Sequence, residues 1–579
     1  MRPPSTSRHL RALTLACLAV LLAAADTYVV VLVLPNIMSS VGLTTDQLQK
    51  ATPIVSGFLL GYVALLPLVG RLSDLYGRRP LLVTCLVGFA TGSAITAGSH
   101  SLVWVVAGRF LQGLGGGGLV PVTLALVADE WPAERRSLPL GVVGAVQELG
   151  NLLGPLYGAG LVAVGGWRSI FWVNLVAGLG LAALTTPGRD PRLGRQRPRD
   201  LPGWGLLGVS AAAGLLLLLR PAALTGSVRY GGVYVPLVVG RGWSSATEPL
   251  ALATACAAAL LVLRLAAAQD PLLPLRRLPA VLRSADFPGA LLLAGALGCI
   301  IVMFASGDPT RQALSPKWPW LCLAAAVLTV ALVWRERSAP APLLDWPALR
   351  NPVVLGALLT SLAVGGGLIV ALVDVPLFAR ATSFPDSQLD AALVLVRFLV
   401  GVPLGAVAGG AICERIGYRT TAALGLLLAT AGFVAMARWG AHALPTHGVA
   451  GSDVALGGCG LGFGLAIAPV NAAALRAVPS RVHGLASALI VLSRTVGMLV
   501  GISALTALGL RAFSRSLARL GTPDRLCPAT PTDCPAYDHA ARAALLHELH
   551  VIFAGAAGCT AAAAVLAGVT LRRAAAPST

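Results

Sequence analysis

The sequence predicts an all-α membrane protein of about sixteen spanning helices, two six-helix bundles with about four helices between them. Three observations predict it. Hydrophobic residues make up 56% of the 579 and charged residues only 12%, the balance of a chain dissolved in lipid and not of a water-soluble enzyme. Apolar runs of about twenty residues, the length that crosses a hydrocarbon core, recur along the chain. Arginines collect in the loops at one end of those runs, as the positive-inside rule asks of cytoplasmic loops.

The first runs lie near 12–34, 48–69, 80–99, 103–128, 138–164 and 169–187. Arg2, Arg8 and Arg11, then Arg71, Arg78 and Arg79, then Arg135 and Arg136, then the arginines from Arg189 to Arg199 fall on one side. That side is therefore cytoplasmic. The opening MRPPSTSRHLRAL resembles a signal peptide, but its apolar run holds Asp26 and lacks a small-residue cleavage site, which predicts a retained first helix. A second set of runs lies near 352–374, 388–412, 419–437, 453–475, 484–510 and 550–571, with Arg415, Arg419, Arg476, Arg481, Arg572 and Arg573 at the inner ends. Six and six outlines a duplicated carrier. The expected units are 1–200, 201–340 and 341–579, with both termini cytoplasmic.

The middle holds four further runs near 203–220, 249–268, 286–305 and 317–335, and reads as one hairpin used twice. Each pair of runs is followed by a similar phrase, DPLLPLRRL at 270–278 and APLLDWPAL at 341–349. Near the carboxyl end, RAFSRSLARLG and YDHAARAALLHELH have helical apolar spacing. The last two spanning helices are thus expected to continue outward as an extension over 511–549. Cys527 and Cys534 stand in the polar phrase joining them, and an oxidising compartment would let them close a small loop. The other eight cysteines lie in apolar runs, where small buried residues are the ordinary reading.

A net charge of +19 raises the question of nucleic acid, but the basic residues sit in short loops without interleaved aromatics, so no nucleic-acid partner is expected. No His/Cys metal spacing, phosphate-cradling GxxxxGK loop or nucleophile elbow occurs, so no catalytic residue, metal or cofactor is expected and the chain is not read as an enzyme.

The internal duplication shows most clearly at one loop. Gly70, Asp74, Gly77, Arg78 and Arg79 in GRLSDLYGRR are answered by Gly410, Glu414, Gly417 and Arg419 in GAICERIGYR, with glycine, acid and glycine at equal spacing. Glycine permits a tight turn, and the acid can bind an arginine or a helix end in one conformation and release it in another. The stretch 141–160, GVVGAVQELGNLLGPLYGAG, carries Gly150, Gly154 and Gly158 four apart, with Pro155 and Glu148. Small residues at that spacing let a neighbouring helix approach closely, and proline there requires packed neighbours.

These residues resemble the major facilitator superfamily, within it the drug:proton antiporters with extra central helices. GRLSDLYGRRP is similar to the family's signature loop, Arg109-Phe-Leu-Gln112-Gly113-Leu-Gly115 to its fourth-helix motif, 141–158 to its antiporter motif, and Asp26-Thr27 with Leu34-Pro35 to the first-helix motif. The antiporter motif departs in Gly158-Ala159, where two glycines are usual, and the chain has one central hairpin more than the subgroup. DTYVVV, TLALVADEW, QELGNLLGPLYG, WRSIFWVN, LVDVPLF and HGLASALIVLSRTVGMLVG further resemble the branch of mycobacterial triacylglyceride exporters that work with a periplasmic lipoprotein. The resemblance implies a proton-coupled antiporter of the bacterial inner membrane, a hydrophobic or lipidic substrate and a lipoprotein partner. The outward loop WGAHALPTHGVAGSD is shorter than in that branch.

Asp26 and Glu148 in the first half and Arg494 in the second are the expected proton-coupling groups, because a charge in hydrocarbon is costly unless it faces a partner or water. Loss of the proton would let either acid pair with Arg494. The family motif adds Arg109 and Gln112 as a polar network. Arg397 is either a partner of Asp374 or a cavity-lining residue. Three functions stay open: a lipid exporter, a multidrug:proton antiporter, and a non-transporting scaffold or sensor.

Overall fold

The computed structural model describes residues 6–43, 48–132, 135–185, 201–227, 229–235, 237, 248–267, 278–305, 315–339, 342–384, 388–444, 451–520 and 535–571. Among them the first half comprises α1 (Thr6–Ser40), α2 (Leu48–Ala64), α3 (Leu66–Tyr76), α4 (Arg78–Gly98), α5 (Leu102–Glu130), α6 (Ser137–Gly165) and α7 (Trp167–Thr185). Helices α2 and α3 form one span interrupted at Leu65, because Pro67 in the first turn of α3 has no N–H to continue the ladder. The middle follows as α8 (Leu201–Leu219), α9 (Ala222–Thr225), α10 (Pro249–Ala267), α11 (Leu278–Ser284), α12 (Phe287–Ala305), α13 (Trp318–Ser338) and α14 (Trp346–Leu349). The second half is α15 (Pro352–Ala381), α16 (Gln388–Ile416), α17 (Tyr418–Met436), α18 (Gly451–Arg476), α19 (His483–Leu520) and α20 (Pro535–Thr570).

Among the described residues thirteen spans are long and apolar enough to cross a membrane. The 29-residue α6 and the 19-residue α8 and α12 bring the bilayer-length rods among the described residues to sixteen. The packing is that of one unit used twice. In the first half α1 lies on α6, α2 on α5, and α4 on α5 and α7; in the second, α15 lies on α19, α16 on α18, and α17 on α18 and α20. The halves meet symmetrically as well, α6 against α16 and α19 against α3.

The duplicated turn repeats in its dihedral angles. Gly77 has φ 94° and ψ 152°, Gly417 φ 91° and ψ 155°, a left-handed region that only glycine enters without strain. Each donates its N–H four residues back, Gly77 to Ser73 O at 3.1 Å and Gly417 to Cys413 O at 3.0 Å.

The middle helices stand outside the two bundles. Helix α8 packs on α10 and α4, and α12 packs on α13, α2 and α19. Leu263 on α10 and Val327 and Trp334 on α13 are exposed, the surface of helices that face lipid. Helices α19 and α20 run to 38 and 36 residues, well beyond the length a bilayer needs. Cys527 and Cys534 lie outside the described residues.

Candidate functional site

The glycine stripe brings α1 and α6 together. A methyl at Gly150 would stand 2.6 Å from Ala24 Cβ, one at Gly154 2.3 Å from Ala25 O, and one at Gly158 2.2 Å from Val29 Cγ2. This approach, which no larger residue allows, sets Asp26 among the helices of the first half, and the α6 backbone stays helical through position 155.

Asp26 has no exposed surface and is fully hydrogen-bonded. Its Oδ2 accepts from an Arg109 guanidinium nitrogen at 2.6 Å, and its Oδ1 accepts from Asn174 Nδ2 at 2.6 Å. The same Arg109 nitrogen donates to Gln112 Oε1 at 2.7 Å, and Gln112 Nε2 donates to Ser93 Oγ at 2.9 Å. The Arg109 guanidinium lies 4.2 Å from the Phe58 ring centroid, a cation–π contact in a dry setting. Tyr157 donates to Asn174 Oδ1 at 3.1 Å. Arg109 and Gln112 thus join Asp26 in one network, and in this structure the cation bonded to Asp26 is Arg109, which α5 delivers to its depth inside the same half, and not Arg494.

Glu148 and Arg494 both line a cavity of about 80 Å³ between the halves. Its polar lining includes Thr27, Tyr62, Gln147, Asn151 and Thr495, and the rest is aliphatic, with Leu59, Val120, Leu368, Leu372, Val491 and Met498. Asn151 Nδ2 donates to Glu148 Oε2 at 3.0 Å, and Arg494 donates to Gln147 Oε1 at 3.2 Å. The acid and the cation share one cavity without a direct ion pair. On the Arg494 side, glycines again bring two helices together: a methyl at Gly497 would stand 1.9 Å from Leu362 O, and one at Gly501 2.4 Å from Gly366 Cα.

The signature loop closes the face of the molecule that carries the arginine-rich turns. Asp74 is ion-paired with Arg78 and accepts from the N–H groups of Gly484 (2.8 Å) and Leu485 (3.0 Å) in the first turn of α19. A carboxylate there satisfies donors that have no intrahelical acceptor and meets the positive end of the helix dipole. Arg78 also donates to Asp129 Oδ2 at 2.9 Å, Ser73 Oγ at 2.8 Å and Ser480 O at 3.1 Å. Arg79 pairs with Glu130 at 2.7 Å. Gly70 makes the crossing possible, since a methyl on it would stand 2.5 Å from Gly484 O. In the second copy Gly410 likewise approaches Ser137, with a methyl 2.6 Å from Ser137 O, but Glu414 and Arg419 are exposed. That copy keeps the turn and the close approach without the buried acid.

Arg397 pairs with Asp453 at 2.8 Å and not with Asp374, which lies buried on α15. Among the described residues no cluster of ligands that could hold a metal occurs. Asn174, Ser93, Asp129 and His483 escaped the sequence reading. The signal for Asn174 was present, a lone amide in the apolar run WRSIFWVN.

Residues 16–334 match the sequence profile of the Major Facilitator Superfamily. A triacylglyceride transporter of Mycolicibacterium hassiacum is 37% identical over 546 residues, covering 92% of this chain and 85% of its own. The triacylglyceride transporter of Mycobacterium tuberculosis strain H37Rv is 36% identical over 523 residues, 88% of this chain and 84% of its own. Among solved structures, the proton:xylose symporter XylE aligns with a TM-score of 0.54 at 14% identity, covering 97% of this chain and 95% of its own, a likeness of fold.

Proposed function

We propose, from the premise that this chain belongs to the Major Facilitator Superfamily, that it is a proton-driven antiporter exporting a triacylglyceride-like lipid from a bacterial inner membrane. The observation that carries this reading is the cavity between the halves, where one acid and one cation stand in a lining that is otherwise mostly aliphatic, with Tyr62 as its aromatic member. An acyl chain needs apolar surface and few directed bonds, whereas a flat aromatic drug is better held by stacked rings. The names of the relatives point the same way.

In this reading a proton arriving from outside neutralises Glu148, and loss of that proton to the cytoplasm restores a carboxylate that attracts Arg494 across the cavity. Asp26, held by Arg109, Asn174 and Gln112, relays the state of Glu148 to the first half through the α1–α6 contact. Asp74, Gly77, Arg78 and Arg79 hold the cytoplasmic face shut between export steps, with Glu414, Gly417 and Arg419 as the weaker second copy. The units are 1–200, 201–340 and 341–579, the termini are cytoplasmic, and the extension over 511–549 passes lipid to a periplasmic lipoprotein.

The test is a comparison of envelope and membrane lipids in cells with and without the gene. Accumulation of a neutral lipid in the inner membrane of the deletion strain, reversed by the wild-type gene and not by Glu148→Gln, is the expected result. Identical lipid profiles would remove the lipid reading.

A further inference from the structure

Among the described residues, the hydrogen bonds by which the second half reaches Asp74, Arg78 and Asp129 come from backbone, with one exception. Gly484 and Leu485 offer N–H groups and Ser480 a carbonyl, but His483 offers a side chain, its Nδ1 lying 2.7 Å from Asp129 Oδ1. His483 is 5% exposed. Asp129 on α5 faces it directly, Arg78 on α4 bonds the same carboxylate and pairs with Asp74 on α3, and Arg481 stands in the turn Ser480–Val482 that leads into α19. Helices α12, α15, α18 and α20 also lie against α19, and among the described residues none of them sends a charged side chain into hydrogen bond or ion pair with His483. Arg79 and Glu130 beside it balance each other. Asp129 is thus gripped from both halves, by Arg78 of the first and His483 of the second.

We propose that His483 is a positioning residue of this latch, which fixes Asp129 against Arg78 and, by taking up a proton, tightens its bond to Asp129 and holds the cytoplasmic face shut. The neutral imidazole donates an ordinary hydrogen bond to Asp129; the imidazolium turns it into a charge-assisted one. Acidification of the cytoplasmic side then strengthens closure, and alkalinisation loosens it. The inference rests on the reading of this cluster as a conformational latch.

Hydrogen–deuterium exchange of the segment 480–490 tests it, on the full chain in lipid nanodiscs without substrate, with rates corrected for the intrinsic effect of pH. In the wild type, exchange at pH 6 should be on the order of fivefold slower than at pH 8. His483→Gln keeps a donor toward Asp129 and should show wild-type protection at pH 8 with no further gain at pH 6. His483→Ala should exchange faster and without pH dependence, and Asp129→Asn should also lose the pH response. Wild-type behaviour of His483→Ala, or a pH response that survives in His483→Gln or Asp129→Asn, would overturn the proposal. Asp74→Asn serves as the separate check, since it weakens the acceptor of the Gly484 and Leu485 amides and should speed exchange at every pH. If it does not, the latch itself is refuted; if it does while His483→Ala is silent, only the role of His483 falls.

Discussion

Gln147 and Arg494 occupy the same place in the two copies of one helix, each three residues ahead of a glycine that packs on its neighbour, and they bond to each other across the cavity at 3.2 Å. The pseudo-twofold axis of the duplicated fold thus passes between an amide and a guanidinium. Glu148 is the next residue on α6, so its charge lies beside the symmetric contact and can be felt by the opposite half.

Removing the Arg494 cation should uncouple the halves. Arg494→Ala is expected to lower gradient-driven transport at least tenfold with normal membrane insertion, because an acid left in the cavity without a cation strongly favours one charge state. Arg494→Lys keeps a point charge but loses the planar fork that reaches Gln147, and should retain part of the activity. Transport by purified variants in liposomes measures both.

Asp26 and Arg109 form a buried pair whose members stabilise each other. Arg109→Ala leaves Asp26 without its cation and should cost roughly 3–5 kcal/mol of stability, read as a loss of folded protein on heating in detergent. Asp26→Asn combined with Arg109→Gln should recover much of the fold without recovering transport.

The glycine stripe predicts steric effects of a graded kind. Gly154→Val should abolish accumulation of folded protein, since the first added carbon already meets Ala25 O at 2.3 Å. Gly160→Ala, on the same helix, has nothing within 4 Å and should be silent. Protein yield and monodispersity after extraction distinguish them.

What the sequence could disclose was local. Acids in apolar runs, glycines four apart and the twice-used loop were all readable, because each is a short-range pattern with its own physical reason. Partner choice was not. Asn174 lies 148 residues from Asp26, and His483 lies 354 residues from Asp129; such meetings depend on how helices cross within a half and between the halves. That Asp26 meets Arg109 in this structure was hidden for the same reason. Opposite charges in lipid seek partners, but Arg109 stands nearer in the fold. The equal spacing of Glu414 and Asp74 did not reveal that only the acid in the first copy reaches a helix end.

Shortening α19 at its carboxyl end and α20 at its amino end separates two roles for them. Deletion of 515–545 with a short linker should preserve insertion and proton binding while impairing release of lipid, because apolar surface left in water costs roughly 25 cal/mol per Å² and a lipid needs a shielded path. Undiminished lipid release by the shortened chain would leave the extension with a structural role only.

The central claim is that a proton gradient drives lipid through the cavity that holds Glu148 and Arg494. Its most direct measurement is transfer of a fluorescent triacylglyceride from proteoliposomes to acceptor vesicles, with and without an imposed pH gradient, for the wild type and Glu148→Gln. The account predicts gradient-stimulated transfer in the wild type and none in Glu148→Gln. Equal transfer by both, or transfer indifferent to the gradient, would contradict it.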